Sequence, residues 1–278
     1  MKIGAVIFAT DYSIALTELA PALEERGFDA LFVPEHTHIP TSRRSPWRGG
    51  GELPPEYSHT LDPFVALTAA ATATKTLRLG TGICLVTERD PIVTAKAVAS
   101  LDLVSGGRFE FGIGAGWNAE EMEHHGTRFE TRFRVLEDRV KAMQAIWAAD
   151  EAVYEGAFTA FEPIWSWPKP VQTPHPPVLL GGESVHTMRR IMAFCSGWLP
   201  RGALLPDPAD GMARLRAAAA EAGRDPATVS ATVFGAPPEA PYLDACRAAG
   251  IDRALLILPS EGRETVLPLC DRYAALIG

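Results

Sequence analysis

Short apolar runs alternate with longer amphipathic stretches along the whole chain. The apolar runs, bounded by turn residues, predict strands at Lys2–Phe8, Ala30–Pro34, Arg78–Leu85, Phe109–Ile113, Val178–Leu180, Gly197–Leu199, Ser230–Phe234 and Arg253–Leu258. Helical segments lie between them. Asp62-Pro63, Asp90-Pro91 and Asp207-Pro208 each put a capping carboxylate before a proline suited to the first helical position. The clearest helix runs from Arg128 to about Ala149, where Phe129, Phe133, Leu136, Val140, Met143 and Trp147 recur every three or four residues as one stripe. That stripe predicts packing against a sheet, with Arg132, Glu137, Asp138 and Lys141 on the outward face.

Strands that alternate with helices pair in parallel, because each crossover needs a helix-length connection. Eight such units in 278 residues predict an α/β fold, a single (β/α)8 TIM-type barrel over residues 1–278. The competing architecture is an open doubly wound sheet, which expects G-x-G-x-x-G in its first βα turn. Phe8-Ala9-Thr10-Asp11-Tyr12 contains no glycine. Two insertions interrupt the rhythm. Thr37–Thr60, after the second strand, is a long loop containing Arg43-Arg44-Ser45-Pro46-Trp47-Arg48-Gly49-Gly50-Gly51, and its length suggests a lid or binding loop. Glu151–Pro176, after the fourth strand, suggests a hairpin of Ala152–Tyr154 and Phe158–Phe161.

Composition narrows the function. A net charge of −8 with no basic block argues against nucleic acid. No apolar run approaches the ~18 residues of a membrane span. The strand beginning at Lys2 leaves no room for a signal peptide, so a cytoplasmic location is expected. Cys84, Cys195, Cys246 and Cys270 are scattered, which fits reduced thiols rather than a disulfide frame or a zinc site.

Chemistry in such folds gathers at the carboxyl ends of the strands. Two glycine-rich strand ends stand out, Leu79-Gly80-Thr81-Gly82-Ile83 and Phe109-Glu110-Phe111-Gly112-Ile113-Gly114-Ala115-Gly116-Trp117-Asn118. They are either tight turns or a surface that a flat ligand approaches closely. Leu179-Leu180-Gly181-Gly182-Glu183-Ser184 opens a helix and suits an anion, with Ser184 and Arg189 or Arg190 as possible additional ligands; a plain capped turn is the alternative. Glu35-His36-Thr37-His38 follows the second strand. His36 there is a proton carrier beside a cofactor, a metal ligand of an amidohydrolase-like barrel, or a loop histidine bonded to backbone. The metal reading needs further histidines at strand ends, and His59, His124, His125, His175 and His186 lie elsewhere. Glu120-Glu121 and His124-His125 read as a solvated polar face, with contact to substrate or cofactor as the alternative. No G-x-S-x-G elbow or other nucleophile motif is present.

Phe32-Val33-Pro34-Glu35-His36, Arg78-Leu79-Gly80-Thr81-Gly82, Ser105-Gly106-Gly107-Arg108, Gly112-Ile113-Gly114-Ala115-Gly116-Trp117 and Val178-Leu179-Leu180-Gly181-Gly182 resemble, over nearly the whole chain, the luciferase-like monooxygenase superfamily of flavin and deazaflavin oxidoreductases. The likeness is strongest to the branch that uses coenzyme F-420. It implies a non-prolyl cis peptide at Gly82-Ile83 behind the central ring, with Thr81 at the same strand end. It also implies a ring-flanking stretch at Gly114, Gly116 and Asn118, a phosphate turn at Gly181, Gly182 and Ser184, and a ring-contacting catalytic residue at His36. Two departures are visible. Ser196-Gly197-Trp198 stands where Asp-Gly-Trp is common, and Ala115 stands where sugar-phosphate dehydrogenases of the superfamily carry a carboxylate, which speaks against glucose-6-phosphate oxidation.

The resemblance thus implies hydride transfer to or from a small organic substrate by F-420, with FMN-dependent two-component monooxygenation as the alternative. The ring would carry the hard chemistry and the barrel the positioning. A flavin or deazaflavin reductase or dehydrogenase would be the redox partner, and a homodimer the expected assembly. A metal-dependent hydrolase and a non-catalytic cofactor-binding barrel are the readings from other classes.

Overall fold

A computed structural model describes residues 1–47 and 49–278; Arg48 of the long loop lies outside the described residues. The order is β1 (Lys2–Val6), α1 (Leu16–Glu25), β2 (Ala30–Val33), α2 (Glu56–His59), α3 (Pro63–Ala73), β3 (Arg78–Thr81), β4 (Cys84–Leu85), α4 (Pro91–Ser105), β5 (Phe109–Gly114), α5 (Ala119–His124) and α6 (Arg132–Ala148). The hairpin β6 (Glu151–Glu155) and β7 (Ala160–Trp165) follows. Then come β8 (Val178–Gly181), α7 (Val185–Phe194), β9 (Gly197–Leu199), α8 (Pro208–Glu221), β10 (Ser230–Phe234), α9 (Ala240–Ala249), β11 (Arg253–Ile257) and α10 (Arg263–Ala274).

The strands run β3-β2-β1-β11-β10-β9-β8-β5-β4, and a further β3–β5 pairing closes the ring. All these pairs are parallel. The result is the predicted eight-stranded barrel wrapped in helices. Its third strand is divided: β3 pairs with β2 and β5, β4 resumes against β5, and the cis peptide Gly82-Ile83 lies between them. The hairpin falls in the second insertion but is longer than predicted on its second arm, reaching Trp165.

Strand alternation divides the core. Val6, Ala30, Phe32, Leu179, Leu199 and Leu255 point inward, with Ile83 and Phe234 packed on them, and fill the barrel. Leu31, Val33, Leu79, Phe111, Ile113, Leu180, Val233 and Leu256 belong to the larger cluster beneath the helices. Gly80 is a packing residue within that plan: a Cβ there would stand 2.4 Å from the Phe32 ring.

The predicted caps form. Asp62 accepts from the amides of Phe64 and Val65, Asp90 from Val93, and Asp207 from Ala209 and Asp210, each such cap contributing about 1 kcal/mol. The long helix is shorter than its sequence signal because Phe129–Thr131 is a single 3-10 turn. Leu136, Val140, Met143 and Trp147 are buried as the stripe requires. Asp138 is not outward. It is buried, and its carboxylate accepts from the Ala157 and Phe158 amides, fastening the hairpin to α6. Among the described residues no helix is long and apolar enough to cross a membrane.

Candidate active site

The barrel mouth is built where β2, the divided third strand and β5 end. Glu35, two residues past β2, is buried and accepts from the Leu85 amide (2.8 Å) and from Arg89 Nε (2.5 Å). Arg89 also reaches Asp62 (2.5 Å). Glu35 therefore ties β2 to the end of β4, and burial beside this carboxylate pushes the Cys84 thiol well above its usual range, which suits packing and not nucleophilic attack.

His36 follows and points to α5. Its Nδ1 lies 2.7 Å from Glu121 Oε2, while Glu121 Oε1 accepts from the Thr37 amide (3.0 Å). His36 is 9% exposed and Glu121 fully buried. Asn118 caps α5 by accepting from the Glu121 amide (3.4 Å). In a capping box the third helical residue reaches back to the cap; here Glu121 turns across the mouth to His36 instead. The reading of Glu120-Glu121 as a solvated face is thus overturned, because both are buried. Glu120 accepts from the Ser45 amide (2.8 Å) and the Ser42 and Ser45 hydroxyls. Burial opposes its charge, but the Ser45 hydroxyl and neighbouring amides prevail and hold it down at about 2.

The long loop folds back over this pair. Tyr57 packs against Phe8 (4.8 Å between ring centroids), His36 (5.3 Å), Trp47 (6.0 Å) and Trp117 (6.4 Å). Thr60 Oγ1 donates to the His36 carbonyl (2.8 Å), and Thr60 bridges to Thr10. Arg44 pairs with Glu123 (2.7 Å), and the Arg43 guanidinium lies over the Trp117 ring. These arginines fasten the loop to α5 and its approach. His38 turns away from His36, its Nε2 2.8 Å from His124 Nδ1, while Thr37 Oγ1 joins His38 Nδ1 (2.9 Å) to His125 Nε2 (2.8 Å). His36 and His38 thus take different partners and do not converge as a metal pair would.

The glycine-rich ends meet at Ile83. A Cβ on Gly114 would fall 1.8 Å from Ile83 Cδ1, and one on Gly181 would touch Ile83 Cγ2 at 3.4 Å. Gly114 therefore makes room for the Ile83 side chain, which stands between β5 and β8; this packing, more than ligand approach, accounts for that glycine. Thr81 is buried and donates to the Gly112 carbonyl (2.6 Å). Asn118 Nδ2 is buried without a partner. At the Gly181-Gly182 turn, Ser184 caps α7 by accepting from the Thr187 amide (3.2 Å), and Trp198 Nε1 donates to the Gly182 carbonyl (2.6 Å). Glu183 pairs with Arg201 (2.8 Å). Arg190 lies over the Phe133 ring on α6, away from the turn.

One further carboxyl borders the site. Glu88 lies in the 3-10 turn Val86–Glu88, buried, with neither oxygen at a hydrogen-bond partner. Burial first, then the facing Glu121 and Glu35, raise its pKa to about 10 against the pull of Arg89, so it is neutral near pH 7. The opposite holds for Arg89, whose buried guanidinium is kept charged chiefly by Glu35. Sequence reading missed Glu88, Glu121 and Tyr57 as site residues. Asn118-x-x-Glu121 could have flagged a helix start, but nothing local marks Glu88 or Tyr57.

Comparison with known proteins bears on this mouth. The family model described as luciferase-like monooxygenase matches residues 10–245. An uncharacterized protein of Mycobacterium tuberculosis (strain ATCC 25618 / H37Rv) is 38% identical over 99% of this chain and 98% of its own. Among solved structures, monooxygenase RslO1 from Streptomyces bottropensis superposes with a TM-score of 0.80 at 20% identity, covering 99% of this chain and 98% of that one. An F420-dependent secondary alcohol dehydrogenase in complex with an F420-acetone adduct gives 0.76 at 18% identity, covering 100% and 98%. The chain therefore belongs to the luciferase-like monooxygenase family, whose members are flavin- or deazaflavin-dependent oxidoreductases.

Proposed function

We propose that this chain is a coenzyme F-420-dependent oxidoreductase that moves hydride to or from a small organic substrate at the barrel mouth, with His36 as its acid–base residue. The observation that carries the reading is the buried His36–Glu121 pair. Glu121 occupies Nδ1, fixing the ring and leaving Nε2 as the nitrogen for chemistry. The chain's residues suit a flat heterocycle. Ile83 gives an apolar wall, Trp117 and Tyr57 line the mouth, and the unpartnered Asn118 Nδ2 is a buried donor suited to a ring carbonyl. Thr81, Gly82, Gly114 and Gly116 complete that wall, and Gly181, Gly182 and Ser184 the turn that would meet a phosphate. When bound, the deazaflavin supplies hydride transfer. His36 would hold or release a proton at Nε2, and the packed Trp47 and Tyr57 rings would exclude water. Ala115 carries no carboxyl; the carboxylate in contact with His36 is Glu121 of α5.

A fold neighbour that holds an F420-acetone adduct supports a carbonyl or alcohol substrate. FMN-dependent monooxygenation is the second reading, favoured by the likeness to RslO1. A cytoplasmic location, a reductase or dehydrogenase as redox partner, and a homodimer joined through the exposed Val65 of α3 and Val93, Leu103 and Val104 of α4 complete the proposal. Paired titrations of the purified protein with F-420 and FMN, followed by ring fluorescence, test it. Micromolar binding of the deazaflavin is expected. Binding of FMN alone would transfer the chain to the monooxygenases, and binding of neither would overturn both readings.

A further inference from the structure

We propose that Glu88, a buried carboxyl whose oxygens have no hydrogen-bond partner, is a positioning residue for His36 that acts through Glu121, the carboxylate behind the imidazole. This rests on the acid–base role of His36 proposed above. Glu88 belongs to a firmly held turn, not a loose one. Thr127 Oγ1 donates to the Thr87 carbonyl (2.5 Å), and Arg139 Nη1 to the Val86 carbonyl (3.0 Å). Its Oε1 lies against Gly116, where an added Cβ would stand 3.4 Å from it and 3.2 Å from Met122, the neighbour of Glu121.

The groups facing Glu88 are Glu121 from α5, Glu35 from the end of β2, and Arg89 from its own turn. Arg89 is committed to Glu35 and Asp62. Glu121 is committed to His36 and Thr37. Among the described residues facing it, Arg89 is the cation and is already paired, so ionising Glu88 would place a second negative charge beside Glu121 in the same buried space. Neutral Glu88 leaves Glu121 to accept from His36 Nδ1–H, which fixes the tautomer and frees Nε2. Ionised Glu88 would bind the imidazole proton more tightly and spoil the balance between giving and taking it.

The test uses the full-length protein without cofactor. Infrared spectra at neutral pH should show a carboxylic-acid C=O stretch that Glu88→Gln removes. The 15N shifts of the His36 imidazole should pass through an alkaline inflection in wild type that is absent from Glu88→Gln. In Glu121→Gln, which removes the like charge, the Glu88 titration should move to lower pH. Circular dichroism checks that each variant folds. An infrared spectrum unchanged by Glu88→Gln, a His36 inflection that survives it, or a Glu88 titration unmoved by Glu121→Gln would each overturn the proposal. With F-420 and a substrate, the alkaline limb of kcat should vanish in Glu88→Gln at unchanged KM; an identical profile would deny the positioning role. Failure to bind F-420 would overturn the proposed activity and leave the spectroscopic result standing, so the two failures are distinguishable.

Discussion

The two ends of the barrel both bury charged groups and handle them in opposite ways. At the end where the strands begin, Arg253 bonds Asp29 (2.6 Å) and grips Glu110 through both guanidinium nitrogens (2.8 and 3.0 Å), while Arg78 also pairs with Glu110. Two arginines meet two carboxylates. Burial alone would raise the pKa of Glu110, but Arg253 and then Arg78 hold it below the usual carboxylate range. At the mouth, three buried carboxyl groups, Glu35, Glu88 and Glu121, face one arginine and one histidine, and Glu88 stays protonated. The first end is electrically closed and serves the fold. The second is left unbalanced beside a histidine, an arrangement that perturbs proton affinity and makes the mouth the candidate site.

Substitutions can break that contrast. The largest effect is expected at the closed end. Glu110→Ala leaves the buried Arg253 with Asp29 alone and Arg78 without its carboxylate, and should cost about 3 kcal/mol of stability, read by denaturant unfolding; a loss as small as that of a surface pair would remove the distinction between the ends. At the mouth, His36→Ala should lower turnover by at least ~10²-fold while leaving cofactor affinity and unfolding nearly unchanged. Full activity in that variant would end the acid–base assignment.

The open end should also have a pH signature. Glu88 titrates higher in the folded chain than the usual carboxyl value of 4.5, so the folded state retains a proton that the unfolded state loses. Its contribution to stability is complete below about 4.5 and declines as pH rises through about 10. Glu88→Gln should therefore be more stable than wild type at pH 9 relative to pH 4, in paired thermal melts; a constant difference would show that Glu88 is not held neutral. The smallest effect belongs to the long loop. Arg44 and Glu123 are exposed, so Arg44→Ala should leave global unfolding nearly unchanged and should raise the accessibility of Trp47 to a fluorescence quencher. An unchanged quenching constant would mean that the loop is held by its aromatic contacts alone.

Much of this architecture was legible in the chain itself. Strand-like runs separated by capped helices determine a parallel β/α order, because both signals are local: alternation and cap chemistry depend on neighbours within a turn or two. His36 and the Gly82-Ile83 junction were visible as strand ends for the same reason, whereas the helix start at Asn118 went unread. Tertiary structure decided what those residues touch. Glu121 lies 85 residues from His36, and only ring closure brings α5 to the end of β2. Gly114 read as an approach for a ligand until the fold placed Ile83 in the space its missing Cβ leaves. Asp138 and Glu120 read as solvated because a charged residue in an amphipathic pattern carries no mark of the amide or hydroxyl that will meet it. Glu88 is the extreme case: its neutral state comes from burial and from carboxyls on two other segments, so the sequence determined its identity and the packing determined its charge.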